Sequence, residues 1–319
     1  MSALKHSYRF DPSYGYSLAD LLAVGTAEEP EDFAHFWVNR YARAMLLDPQ
    51  PVLEDLQQTV NGWRTYALGY TSTDGMKIRG WCLVPEGQSV ERLCVVMHGY
   101  AGRDGPDYNL PFANTALIFP CTRGISRSPH PRISPNPAWH VLHNIHDPRS
   151  YVLGGCVEDV WLAVSAGRQL FPQAEERVGL LGISFGGGIG VIALGFDPRI
   201  ARAHFNVPSF GHQALRLTLD TTGSGAAVRA MHKHKPEVVE KTLGYYDAAS
   251  AARRIRVPVH FACALFDPMV APPGQFAIYN AVRSEKNLYV LTAGHFEYPE
   301  QNAESTNLLH ELTGFFDLL

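Results

Sequence analysis

The chain has 319 residues, 46% hydrophobic and 18% charged, a globular composition with enough apolar content for a large core. Its formal net charge of −4 gives no electrostatic footprint for nucleic acid or an anionic membrane, so neither is expected as a partner. No run approaches the roughly 18 apolar residues of a membrane helix, and the opening MSALKHSYRFDPSYGYSLAD lacks the basic-then-apolar order of a secretory signal.

Residues 1–60 read as an N-terminal cap segment with one helix around Pro30 to Leu47. Trp63 to Ser72 and Lys77 to Val84 then read as paired strands, with Asp74-Gly75 supplying the tight turn. Leu93 to Met97 and Thr115 to Phe119 are short apolar runs of the kind buried on both faces of a parallel sheet. A long Pro-rich excursion fills 121–155, and loops of that length in compact domains serve function or assembly. A helix over Val157 to Leu170, a strand over Val178 to Ile183 and a helix over Gly186 to Gly195 follow. Residues 209–250 form a lid-like insertion between the sixth and seventh strands. After it come a strand over Val257 to Leu265, a helix over Gly274 to Arg283, a last strand over Asn287 to Thr292 and a helix over Ala303 to Phe316. This alternation predicts an α/β fold in one domain over 1–319, a doubly wound and mostly parallel sheet with helices on both faces.

Cys82, Cys94, Cys121, Cys156 and Cys263 are far apart, odd in number and without a CxxC pair. Buried free thiols in a reducing compartment, and so a cytoplasmic location, are the expectation.

The strongest chemical signal is Gly182-Ile183-Ser184-Phe185-Gly186-Gly187-Gly188, which follows a strand and opens a small-residue helix. That is the setting of the nucleophile elbow of an α/β-hydrolase fold, where a serine on a sharp turn needs small neighbours two positions either side. The hydroxyl then projects at a helix N-terminus, where negative charge is favoured. A serine at neutral pH needs a base, and the base an orienting acid, in the chain order Ser, Asp or Glu, His. His295, in Thr292-Ala293-Gly294-His295, is the one downstream histidine in a loop just after the last strand. His204 and His260 lie in strand-like runs as core residues, and His232 and His234 sit among lysines on a solvated surface. Asp267 directly follows the seventh strand and is the candidate acid, with Asp247 as the runner-up that more simply caps a helix. The backbone N–H groups of Phe185 and of Tyr100, in His98-Gly99-Tyr100, are the candidate oxyanion donors. His98 is read as fixing that loop by hydrogen bonding. His140, His143 and His146, with His130 and Asp147 nearby, fit a pocket mouth or an interface better than a metal site, because residues six apart diverge around a helix. No metal and no cofactor is expected.

With these residues in place, the chain resembles the acetyl xylan esterase / cephalosporin C deacetylase family of carbohydrate esterases from about Pro30 onward. The resemblance rests on Pro30-Glu31-Asp32-Phe33 with Phe36-Trp37, Gly80-Trp81 with Val84-Pro85, His98-Gly99-Tyr100, Arg123-Gly124 and the turn at Ser184. It continues through Asp267-Pro268, Ala271-Pro272-Pro273, Phe276-Ala277-Ile278-Tyr279-Asn280 and Gly294-His295. The chain departs where the family usually has Gln, at Phe185 and Ile125, and Phe296 breaks the family's His-Glu pair, leaving Glu297 one residue later. The resemblance implies a metal-independent serine esterase that removes acetyl groups from sugars or small molecules. It also implies a homo-hexamer with the 121–155 excursion at subunit contacts. Two rivals stand beside it: a broader short-chain carboxylesterase on a non-sugar ester, and a non-catalytic scaffold on a hydrolase fold.

Overall fold

The computed structural model describes residues 4–319. Nine strands form one sheet in the order β1-β2-β3-β5-β4-β6-β7-β8-β9. Strands β1 (Val52–Val60), β2 (Trp63–Thr71) and β3 (Lys77–Pro85) are antiparallel, and β3 also meets β5 (Thr115–Cys121) antiparallel. The remaining pairings are parallel, through β4 (Arg92–Met97), β6 (Val178–Ile183), β7 (Arg202–Asn206), β8 (Val259–Ala264) and β9 (Lys286–Leu291).

The central strands are apolar throughout because both faces are covered. In β4, Leu93, Val95 and Met97 join one hydrophobic cluster, while Cys94 and Val96 join the other. That split is the two-residue period of a strand. The first cluster packs under the helices Val152–Leu170, Phe185–Leu194 and Pro272–Ala281, and the second under Gln301–Phe316. The fold is the α/β-hydrolase fold, as the alternation predicts. All five cysteines are buried free thiols, and none of the helices among the described residues is long and apolar enough to cross a membrane.

The helix expected in the N-terminal segment runs over Phe33–Met45, after a short unexpected one over Leu18–Leu22, and buries Phe33, Trp37, Arg40 and Ala44, the stripe expected at helical spacing. The helix read as starting at Val157 begins at Val152 instead. Its start is hidden in sequence by Gly154-Gly155, since glycine is a poor helix former.

Strand β1 has no counterpart among the elements expected from sequence. Only edge pairing with β2 holds it, its side chains are largely exposed, and a register irregularity lies between Asp55 and Gln58. Without an apolar alternation, its one local mark is Asn61-Gly62. Both residues have positive φ (50° and 78°) between the paired Val60 and Trp63, the geometry of a type I′ hairpin turn. Irregularity and charge suit an unpaired sheet edge.

Two excursions stand over the C-terminal ends of the strands. Residues 122–151 are irregular apart from one helical turn at Pro137–His140. The insertion after β7 carries the helices Gln213–Arg216, Ser224–His234 and Pro236–Tyr245. A cavity of about 590 Å³ lies between them and the strand ends.

Candidate active site

Ser184 joins β6 to the helix Phe185–Leu194 at φ 54° and ψ −115°. Backbone in this region costs about 1–3 kcal/mol and persists only where the surroundings over-determine it. Here they do: Ser184 N–H donates to Asn206 O at 2.9 Å, and Ser184 O accepts from Gly188 N–H at 2.9 Å and Ser209 N–H at 3.0 Å. The flanking glycines answer to backbone approach. A β-carbon at Gly182 would lie 2.5 Å from the Gly186 carbonyl oxygen, and one at Gly186 would lie 2.5 Å from that of His98.

His295 and Asp267 arrive from the loops after β9 and β8. Asp267 Oδ2 accepts from His295 Nδ1 at 2.8 Å, and His295 Nε2 stands 3.0 Å from Ser184 Oγ. An ionised carboxylate can only accept, so the ring proton sits on Nδ1 and Nε2 is left to accept the serine hydroxyl proton. Asp267 is fully buried, with Oδ1 accepting the N–H groups of Met269 and Val270 at 2.8 and 2.9 Å. Burial disfavours a charged His295 ring, but the hydrogen bond to Asp267 and the charge behind it win, and its pKa stands above the ordinary value. The arrangement can take a proton from Ser184 and stabilise the imidazolium that results.

Asp247, the runner-up acid, lies elsewhere. It caps the helix Ala248–Ala252 through the N–H groups of Ala249 and Ser250, and it also accepts from Gln213 N–H at 2.6 Å. His204 and His260 face each other across β7 and β8 with ring nitrogens 3.1 Å apart, buried in the core.

The N–H groups of Tyr100 and Phe185 donate to no acceptor among the described residues. Both lie beside Ser184, one on the loop after β4 and one at the helix start. The Phe185 side chain is fully buried beneath that loop, stacked on the Tyr100 ring with centroids 4.2 Å apart. Ile125 is buried as well, so neither departure from the family's Gln lines the cavity. Phe296 packs against Phe266 at 5.0 Å, and Glu297 points to solvent.

A chain of buried hydrogen bonds fixes the Tyr100 loop from behind. Tyr100 Oη donates to His140 Nδ1 at 3.1 Å, and His140 Nε2 donates to the Arg123 carbonyl at 3.0 Å. Arg123 is gripped in turn by Asp159, with Nε and Nη2 donating to the two carboxylate oxygens at 3.0 and 2.7 Å. His98 Nδ1 donates to Gly99 O at 2.7 Å, and its Nε2 accepts from Thr122 N–H at 3.0 Å. Burial lowers the pKa of His98 and of His140 to about 4, so both rings are neutral braces at pH 7. His140 is thereby occupied, and among the described residues no three His, Cys, Asp or Glu side chains gather at metal-ion spacing.

Three features escape sequence reasoning. Gln275, fully buried, donates to Asp267 Oδ2 at 3.1 Å while its Oε1 accepts from Ala264 N–H at 2.9 Å. It is the lone long polar residue in the first turn of an apolar helix, eight residues past the acid, which is a readable signal. The chain near the N-terminus passes the acid, with Asp267 N–H donating to Pro12 O at 3.0 Å and His6 beside Phe266. Nothing local in sequence announces that contact. Arg216, on the insertion, lines the cavity together with Asn136 and Pro137 of the excursion.

The acetyl xylan esterase (AXE1) family model matches residues 18–311. The chain belongs to the acetyl xylan esterase family. Members of the acetyl xylan esterase family are carboxylic ester hydrolases, and solved members share the fold. The acetyl xylan esterase of Paenibacillus sp. R4 superposes with a TM-score of 0.83 at 23% identity, over 93% of this chain and 99% of that one. Acetyl xylan esterase 1 of Thermoanaerobacterium sp. JW/SL YS485 gives 0.80 at 22% identity, over 95% and 99%. Acetyl esterase Axe7A of Xylanibacter ruminicola is 29% identical over 111 residues, 35% of this chain. That match spans a quarter of the relative's own length.

Proposed function

We propose that this protein is a serine esterase that hydrolyses short-chain, chiefly acetyl, esters of sugars or related small molecules. The observation that carries the proposal is the Ser184–His295–Asp267 relay, with links of 3.0 and 2.8 Å, opening into the cavity beneath the two excursions. Ser184 Oγ attacks the ester carbonyl as His295 Nε2 takes its proton, and Asp267 holds the ring's tautomer and its positive charge. The oxyanion is held by the N–H groups of Phe185 and Tyr100, which lack other acceptors. Collapse breaks the bond to the alcohol oxygen, which receives the proton from His295, and leaves an acetyl-enzyme. Water, deprotonated by the same ring, then attacks that ester, the bond to Ser184 Oγ breaks as the serine recovers the proton from His295, and acetate leaves.

Membership of the acetyl xylan esterase family supports acetyl as the acyl group. A broader short-chain carboxylesterase remains the second reading, favoured by the apolar wall of Ile183, Met269 and Val270 in a cavity larger than acetyl needs. The test is hydrolysis of 4-nitrophenyl acetate, butyrate and octanoate, with a serine-directed phosphonate as titrant. Turnover that is phosphonate-sensitive, falls steeply beyond acetate and drops at least a thousandfold in Ser184→Ala supports the proposal. Wild-type-like turnover in that variant would falsify it. A homo-hexamer belongs to the same proposal through the family resemblance, with Trp139, two-thirds exposed (67%) on the excursion, as a residue a subunit contact would cover. Light scattering checks it.

A further inference from the structure

The catalytic cavity is lined by glycine, small hydroxyl, amide and apolar residues, and apart from His295 it holds one side chain that can carry charge, Arg216. A guanidinium is costly to cover unless it is paired. The most deeply buried arginines obey that rule, whereas the partly buried Arg127 and Arg202 meet the carbonyls of Gly80 and Leu318 instead. Arg40 pairs with Glu158 at 2.9 Å, Arg123 with Asp159 at 2.7 Å, Arg199 with Asp197 at 2.6 Å and Arg103 with Asp107 at 3.3 Å. Arg216 has no carboxylate within 4 Å among the described residues, although it is partly buried. Asp247 is not its partner, because its two oxygens are taken by the N–H groups of His212, Gln213, Ala249 and Ser250.

Arg216 is nonetheless held in place. Its Nη1 donates to Gln213 Oε1 at 3.1 Å, and its guanidinium carbon lies over the Phe210 ring, 5.3 Å from the centroid. Gln213 is itself buried and tied by Nε2 to Tyr246 O at 2.9 Å. The Nε and Nη2 groups of Arg216 have no acceptor among the described residues. The first turn of the helix Ser224–His234 lies alongside, since a β-carbon at Gly225 would sit 3.2 Å from Arg216 Nη2. That helix has no side-chain cap, and its starting residues Gly223 and Ser224 line the same cavity. A fork of free N–H donors and a helix N-terminus thus converge on one wall, a favourable setting for a planar oxyanion.

We propose that Arg216 binds an anionic group on the alcohol half of the ester, making the enzyme selective for acetyl esters of acidic alcohols. The placement on the alcohol half rests on the acetyl esterase reading above, because an acetyl group has no room for a second anion. A carboxylate or a phosphate would satisfy the same donors.

The test compares phenyl acetate with 3-acetoxybenzoate and 3-acetoxyphenyl phosphate, which release phenols of similar reactivity. Wild-type enzyme is expected to favour at least one anionic ester by about tenfold or more in kcat/KM, through KM. Which of the two wins separates carboxylate from phosphate. In Arg216→Gln the anionic-to-neutral ratio of kcat/KM falls to near one, and in Arg216→Lys it stays between the two. A ratio unchanged in Arg216→Gln, or no preference in wild type, overturns the inference. Two further measurements guard the result. Inhibition of wild-type phenyl acetate hydrolysis by 3-hydroxybenzoate against phenol needs no variant at all. Calorimetric binding of 3-hydroxybenzoate to Ser184→Ala needs no turnover. Absence of all esterase turnover, with 3-hydroxybenzoate still bound and then lost in Ser184→Ala/Arg216→Gln, would sink the esterase reading while keeping the anion site. Turnover of phenyl acetate without any response to the anion would do the reverse.

Discussion

Replacing Asp267 by Asn changes one atom and inverts the logic of the site. The side chain is fully buried and makes four contacts with donors: Met269 and Val270 N–H on Oδ1, and His295 Nδ1 and Gln275 Nε2 on Oδ2. An amide has one oxygen, and the two backbone N–H groups cannot turn away, so that oxygen stays in the Oδ1 position. The NH2 group then faces His295. The ring adapts by moving its proton to Nε2, where it points at Ser184 Oγ as a donor and can no longer take the hydroxyl proton. Loss of the correct tautomer in a serine triad costs about four orders of magnitude in kcat, roughly 5.5 kcal/mol of barrier. The assay is 4-nitrophenyl acetate hydrolysis from pH 5 to 9, with far-ultraviolet circular dichroism to confirm folding. In the wild type, activity rises with pH as His295 loses its proton, through a midpoint above the ordinary histidine value. In Asp267→Asn burial acts on the ring without an opposing carboxylate, so the residual activity has its midpoint at lower pH. A folded variant within tenfold of wild type at pH 7 would show that Asp267 does not set the tautomer.

Stability and activity respond to this pair in opposite senses. Because the folded-state pKa of His295 is raised, the pair's stabilisation is full below the unfolded-state pKa and is lost as pH rises through the folded one. A lower melting temperature on the alkaline side of that window, steeper in the wild type than in Asp267→Asn, checks the sign. Gln275→Leu keeps the volume but orphans the buried Ala264 N–H and removes one donor from Asp267, so it should cost about 1–3 kcal/mol and lower Tm by several degrees. Gly186→Ala forces a methyl toward the His98 carbonyl. We expect a loss of about 1–3 kcal/mol and a fall in kcat greater than in KM, because the Tyr100 loop moves with His98. An undisturbed kcat in that variant would detach the loop from the chemistry.

Much of the fold was legible because its signals are local. Runs such as Leu93 to Met97 are apolar at every position, which suits a strand covered on both faces, and the elbow glycines stand where a β-carbon would strike backbone, at Gly186 O for Gly182 and at His98 O for Gly186. The relay residues were legible for a related reason. Each sits at the C-terminal end of its own strand, so their order along the chain is also their order across the sheet. The edge strand Val52–Val60 was not, since its side chains are exposed and only pairing with the next strand makes it regular. Nor was the place of Phe185, where a side chain that differs from the family's Gln turns under the Tyr100 loop and stacks on Tyr100 instead of entering the cavity.

The order of the amino acids carries a parallel-sheet hydrolase fold, a serine at a strand–helix turn, and a histidine and aspartate behind later strands. Periodicity, turn sterics and chain order suffice for these. It takes the folded chain to show that Gln275 braces Asp267, that Arg123 and His140 hold the Tyr100 loop, and that Arg216 reaches the cavity at Ser184 without a carboxylate. These properties depend on which groups lie within about 3–4 Å after folding, and a polar side chain read alone carries no mark of whether its partner is protein, water or substrate.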